Sequence, residues 1–509
     1  MVIMIRVLAG PGRWRLLVII LALPAGVRSA DWTVLPSLRL RESYSDNARL
    51  AVQNQAVGEW TSELSPGIVA VTHGPRLALA FDYTLQSLRG TREAERRNQQ
   101  LDATAQLTAL PDWLYMDASA GISQQNISAF GPQQLDTAQT SYNATTVRTL
   151  ALSPSLRHDF RGLARVLARF DRTSVSSSRL LQVRSSDALL QLTGDRGGNT
   201  WNWDLRIDRQ HVDDARLPPS MLEDAALTLN YPLHRTLSLA ATTGYERNEY
   251  QTFGDEPRGR YWSTGLHLQP SPRTDVSASI GRHYYGATYG LDASFRRRHM
   301  LWTLNYSEDI TSTNGQFLSV APSAMSDFLL QLWETRIPDP VMRRGAIQAF
   351  IALSQLLGPT GNVNYFSHRY YLQKQWRVAT LYAGNKATWS IGLASTARTA
   401  QSSSAIDSTL LIGTTNIALQ DRTRQTSLQA GSSWRLNGRS QLNLSATTGL
   451  AESLSNGRKD RNSTLVLSLT RQLSVHATLS ADLRHSRHSS NAGGNYRENG
   501  VSAALSMQF

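Results

Sequence analysis

Catalysis requires reactive side chains held at a workable spacing, and this chain offers few such groupings. Serine is abundant, but no G-x-S-x-G stretch occurs, so nothing predicts the strained turn that presents a serine nucleophile. His485 and His488 in "RHSRHSS" stand three apart, which puts them on opposite faces of a strand. No H-E-x-x-H pair is present. Asp213 and Asp214 in "RQHVDDARL" read as a strand exit. The chain has no cysteine, which removes thiol chemistry, cysteine metal sites and disulfides. The expectation is a protein that is not an enzyme, with no catalytic residue, metal ligand or cofactor.

Charges set at alternating positions are more informative. Arg76, Arg165, Arg169 and Arg206 fall on polar faces, together with Asp82, Asp171, Asp204 and Asp208. Lining a water-filled lumen, such residues form a wall of paired charges. If the arginines dominate, the passage weakly favours anions and suits an acidic polysaccharide. Arg296, Arg297 and Arg298 are adjacent and cannot share one face; they are expected at a membrane boundary or on lipopolysaccharide phosphates. Tyr44-Ser45-Asp46-Asn47 reads first as a tight turn, with Asn47 able to adopt the left-handed conformation, and second as a ligand or cation site.

The elements that must carry these residues are strands. In "RLALAFDYTLQ", Leu77, Leu79, Phe81, Tyr83 and Leu85 oppose Ala78, Ala80, Asp82, Thr84 and Gln86. In "WNWDLRIDR", Trp201, Trp203, Leu205 and Ile207 oppose Asn202, Asp204, Arg206 and Asp208. Turn signals such as "GDRGGN", "LNGRS" and "NAGGN" separate such runs. A stack of β-sandwich domains would alternate too. The strands, however, run about ten residues or more, as in membrane strands. Aromatic residues gather at their ends (Trp113, Tyr231, Tyr245, Trp262, Tyr285, Trp302, Trp389), and no linker divides the chain. The expected fold is all-β: a transmembrane antiparallel outer-membrane β-barrel of about 18 strands (16–22). A barrel of that size is too wide to be filled by side chains.

The front of the chain supplies the compartment. "MVIMIRVLAGPGRWR" followed by the short apolar run 16–26 has the form of a secretory signal over residues 1–30, too short to span a membrane. Residues 31–509 then form the barrel. The formal net charge is +13, and four arginines (Arg6, Arg13, Arg15, Arg28) leave with the signal. A basic exported chain points to anionic lipid or polymer; no nucleic-acid motif is present and nucleic acid is not an expected partner.

One segment, 325–358, carries helical periodicity within 325–361, with Asp339-Pro340 as a helix start and Gly358-Pro359 as a stop. A helical hairpin insert is expected there, serving as a lumenal gate or a periplasmic docking element through Phe328, Trp333, Arg343, Arg344 and Phe350. At the other extreme, "NGVSAALSMQF" places Val501, Leu505, Met507 and Phe509 on one face. This suits a closing strand against lipid and a signal for the barrel-assembly machinery.

With "ESYSDNARL" (42–50), "GRHYYGATYGLDASFRRRHMLWTLNYSEDITST" (281–313) and the helical insert in this order, the chain resembles the outer-membrane β-barrel family that accompanies exosortase/PEP-CTERM systems and exopolysaccharide loci. The resemblance implies an outer-membrane barrel without established catalytic residues. By association with those systems it implies a role in export of an envelope polysaccharide, with polysaccharide-export components as partners; outer-membrane lipid and lipopolysaccharide are the partners expected of the barrel surface itself. A general diffusion porin and a plugged assembly barrel that recruits a periplasmic partner are the alternatives.

Overall fold

In the computed structural model the described residues are 32–92, 94–160, 164–177, 182–194, 201–215, 218–250, 252, 257–312, 369–384, 386–402 and 421–509. The signal segment 1–30 and the insert 325–358, with Phe328, Trp333, Arg343, Arg344 and Phe350, lie outside them.

Twenty-two antiparallel strands form one sheet, and the first pairs with the last. In chain order they are β1 (Trp32–Ser45), β2 (Glu59–His73), β3 (Leu77–Gly90), β4 (Arg96–Leu110), β5 (Leu114–Asn126), β6 (Ala144–Phe160), β7 (Ala164–Ser177), β8 (Gln182–Gly194), β9 (Asn202–Asp214), β10 (Ser220–His234) and β11 (Leu237–Glu249). The second half comprises β12 (Arg258–Ser271), β13 (Thr274–His283), β14 (Gly286–Arg296), β15 (Met300–Thr311), β16 (Tyr371–Ala383), β17 (Ala387–Ala400), β18 (Arg422–Asn437), β19 (Ser440–Ser453), β20 (Lys459–Gln472), β21 (Ala477–Ser490) and β22 (Tyr496–Gln508). Closure matters energetically because it leaves no edge of unpaired N–H and C=O groups, which lipid could not satisfy.

The count corrects the expected 18 to 22, the upper limit of the range. The excess comes from tight hairpins. Pairs such as β13–β14 and β18–β19 turn within two residues, and their strands alternate through Ala, Ser, Gly and Thr, where apolar contrast is faint.

The outward face is apolar. Leu40 of β1 pairs with Leu64 of β2 and Leu505 of β22; Leu40 and Leu64 are exposed and Leu505 half-buried, as a lipid-facing belt allows. On β22, Val501 is exposed and Ser502 buried, so the face chosen from "NGVSAALSMQF" is the outer one. Exposed aromatics ring both ends: Trp32, Trp113, Phe160, Trp302 and Trp434 at one, Trp60, Tyr245, Trp262 and Tyr289 at the other. Tyr285, expected in a girdle, instead stacks on His283 inside the mouth.

Connections divide by length. Those at the end shared with Trp32 and Gln508 are short, whereas the far end carries 46–58, 127–143, 312–370 and 401–421. Short turns face the periplasm and long loops face outward in such barrels. β15 ends at Thr311 and β16 begins at Tyr371, both at the outer end. The Arg296–Arg298 triplet straddles a periplasmic turn, with the Arg297 guanidinium 5.3 Å from the Phe295 ring centre. That position suits a membrane boundary and lies away from the outer leaflet.

Candidate functional site: the lumen and its inner loop

Register decides which side chains reach the lumen. Arg165, Arg169 and Asp171 share an inward face of β7 with buried Thr173, and Asp204, Arg206 and Asp208 share one on β9 with buried Val212. Arg169 Nε donates to Asp171 at 2.8 Å, and Arg206 lies 3.6 Å from Asp208. Asp204 accepts from Gln191 and Thr193 at 2.6 and 2.9 Å. Asp82 faces Asp102 across β3 and β4. Arg76 lies on the connection before β3, at the periplasmic rim, and its carbonyl receives Thr108 N–H.

The expected arginine dominance does not follow from the register. Between β7 and β11, inward positions hold Asp171, Asp187, Asp204, Asp208, Asp214, Asp224 and Glu246 against Arg165, Arg169 and Arg206. Toward β3, Asp82, Asp102 and Asp117 meet Arg96, while β6 balances Arg157 with Asp159. From β12 to β15 the inward set is Asp275, Asp292 and Asp309 against Arg296. Asp171 and Asp187 stand directly opposite each other, a like-charge pair that costs stability and marks an acidic wall. A recess of about 820 Å³ opens along β4–β9, its charged lining being Asp117, Asp171 and Asp187 with Arg157 and Arg169.

The opposite wall is covered. Residues 127–143 connect neighbouring strands β5 and β6, yet fasten to β1, β4 and β19–β22 across the interior. Asp136 is the main fastening. Arg41 of β1 donates two bonds to its carboxylate, and Arg484 of β21 donates a third at 2.8 Å. Behind them, Glu63 lies 3.6 Å from Arg41, and buried Glu498 accepts from Arg484 at 2.7 Å. Burial alone would raise the Asp136 carboxyl. The Arg41 hydrogen bonds and the charges of Arg41 and Arg484 outweigh it and hold the group well below the ordinary carboxylate range. Further along, Gly131 N–H donates to Asp460 at 2.8 Å, Gln133 N–H to the Tyr496 hydroxyl at 3.3 Å, and Thr140 N–H to the Ala48 carbonyl at 2.9 Å. Phe130 is buried beside Ala451, with Arg458 over its ring. At the loop base, Ile127 packs on an inner patch of Val147, Val175, Val183 and Val212.

Sequence reasoning missed this loop and its partners Arg41, Arg484 and Glu498. The length of "FGPQQLDTAQTSYN" between two strands, with Gly131-Pro132 near its start, was the available signal.

The Tyr44–Asn47 motif fastens the seam. Ser45 Oγ donates to Glu498 at 2.8 Å, and Asp46 accepts both the backbone N–H and the side-chain amide of Asn499 at 2.7 Å. Fully buried Asn47 donates to the carbonyls of Ala51 and Arg497 and accepts Ala51 N–H. A turn is therefore what this motif builds, with Leu50 (φ 52°) rather than Asn47 in the left-handed region. At the outer mouth a second brace joins tyrosines: Tyr250 and Tyr284 hydroxyls are 2.8 Å apart, Tyr370 lies 2.7 Å from Ser220 Oγ, and Tyr261 stacks on His283. Burial pushes the Tyr284 and Tyr370 phenols up to about 12 and raises Tyr250 as well, so these rings stay neutral.

Among the described residues no group of three or more His, Asp or Glu is arranged to hold a metal ion. His485 and His488 face opposite sides of β21, the latter buried against Asp460.

No protein-family model matches the chain, and no curated protein does. Similar solved structures include the siderophore receptor PirA from Pseudomonas aeruginosa, with a TM-score of 0.45 at 10% identity, covering 94% of this chain and 80% of that one. The FrpB iron transporter from Neisseria meningitidis gives 0.48 at 9% identity, covering 93% and 82%. OccK1 from Pseudomonas aeruginosa gives 0.36 at 10%, covering 94% and 99%. These likenesses concern barrel shape and nothing finer. A closed sheet of 22 membrane-length strands, apolar outside, polar inside and girdled by aromatics at both ends, is an outer-membrane β-barrel of a Gram-negative envelope.

Proposed function

We propose that this barrel is a non-catalytic passage for hydrophilic cargo of neutral or positive charge. The carrying observation is the acidic wall of β7–β11, left facing the lumen while the inner loop is fastened over β1 and β19–β22. Rings of carboxylates favour cations and repel anions within a confined, partly dehydrated channel. An envelope polysaccharide, the cargo implied by the resemblance carried by 42–50 and 281–313, fits this wall when uncharged or rich in amino sugars. A uronic-acid polymer does not. The same wall supports a general diffusion porin for small solutes, and uptake of small sugars by a deletion strain separates the two. Liposome swelling tests the reading. Neutral and amino oligosaccharides should enter faster than uronate oligomers of equal length. Faster entry of the uronates overturns the charge reading, and entry of none favours a plugged assembly barrel.

A further inference from the structure

The outward face of the described strands carries a second charged surface, and its charge is basic. On the outward face, basic residues gather at the outer end, one or two outward positions beyond the apolar belt. They run from Arg97 on β4 through Arg184 on β8 and Arg260 on β12 to Arg424 on β18. Among the described strands, the periplasmic half of that face carries only Arg471 as a lysine or arginine. The collar is densest on β20–β22. Arg487 pairs directly with Arg497 across the strands, and Arg461 stands one diagonal step away, beside Ser463, the partner of Arg487. All three are exposed. The outward acids on either side are engaged, Glu452 with Lys459 at 2.8 Å and Asp46 with Asn499.

Two arginines placed directly opposite each other repel and destabilise the pairing unless a counter-charge lies between them. Three guanidinium forks at one interface, facing outward above the leucine belt, present the geometry that phosphate accepts. We infer that Arg461, Arg487 and Arg497 form a phosphate-binding site for the phosphorylated glycolipid of the outer leaflet, within a collar that seats the barrel in that leaflet. The one-sided distribution matches a bilayer whose outer leaflet alone carries this lipid. This inference is independent of the cargo. It moves the expected lipopolysaccharide contact from Arg296–Arg298 to the opposite end of the barrel.

The full chain in neutral detergent, titrated with bis-phosphorylated lipid A and read by native mass spectrometry, tests the site. R461Q/R487Q/R497Q should lose about tenfold or more in affinity. R296Q/R297Q/R298Q should bind like the parent, and lipid A stripped of phosphate should bind the parent about tenfold more weakly or worse. Equal binding by the first variant, or equal binding of the stripped lipid, overturns the site. Displacement of the lipid by millimolar inorganic phosphate would instead define a small-anion site and overturn the lipid assignment. Heat-modifiable migration checks folding. If the triple variant does not fold, R487Q replaces it, and the stripped-lipid comparison on the parent still decides.

Discussion

Replacing Asp136 by alanine removes the acid that holds the inner loop to the wall. Deleting one partner of a buried ion pair costs about 3–5 kcal/mol, because the other charge stays buried. Here both arginines retain a second acid, Arg41 with Glu63 and Arg484 with Glu498, so the lower end applies, about 3 kcal/mol. At about 1.4 kcal/mol per decade, the ratio of docked to undocked loop falls by roughly a hundredfold. The other ties, among them those from Gly131, Gln133 and Thr140 at about 1 kcal/mol each, are the same in parent and variant and do not offset the loss. Strand pairing is untouched, so the barrel stays folded. Single-channel recording in planar bilayers should show larger conductance or frequent excursions to larger states in Asp136→Ala. Tyr142→Ala, at a residue 79% exposed on the same loop, should leave the trace unchanged. A folded Asp136→Ala barrel with parental conductance and noise would refute the fastening argument.

The depressed carboxyl of Asp136 sets a pH window: its contribution is complete above the unfolded carboxylate value, near 4, and is lost only as pH falls below it. Conductance should hold constant from about pH 8 to 5 and rise below about pH 4; a rise centred near pH 6 would assign gating to another group. Gly244→Ala places a Cβ 2.4 Å from the Tyr261 ring and 2.7 Å from the Ala225 carbonyl. A backbone oxygen cannot step aside, so urea titration should register a loss of about 1–3 kcal/mol, and an unchanged midpoint would contradict the close approach. Asn47→Ala strips one hydrogen bond from the β1–β22 seam and two from the turn beside it, leaving the Arg497 and Ala51 carbonyls short of a donor. A loss of about 1–3 kcal/mol is expected by the same titration, and a neutral result would remove the motif from the seam.

Strand periodicity made the architecture legible because a period of two assigns faces without knowledge of neighbours. The faces of Arg165, Arg169, Arg206 and the β22 residues followed directly. What resisted were properties set by pairing. Asp187 and Asp224 join the acidic wall, and Asp102 and Asp117 the lumenal face beyond β6, only once register aligns separate strands, so four conspicuous arginines suggested the opposite sign. Arg461, Arg487 and Arg497 share parity with Leu465, Leu483 and Val501, so alternation already placed them outside. The loop 127–143 was illegible for a different reason: its partners lie as many as 363 residues away, as Gln133 and Tyr496 do.

The central claim, an acidic lumenal wall left open beside a fastened loop, is tested most directly by the reversal potential of single barrels under a potassium chloride gradient. The account predicts a potential displaced toward that of potassium, reduced at high salt as lumenal carboxylates are screened. A displacement toward chloride would contradict it.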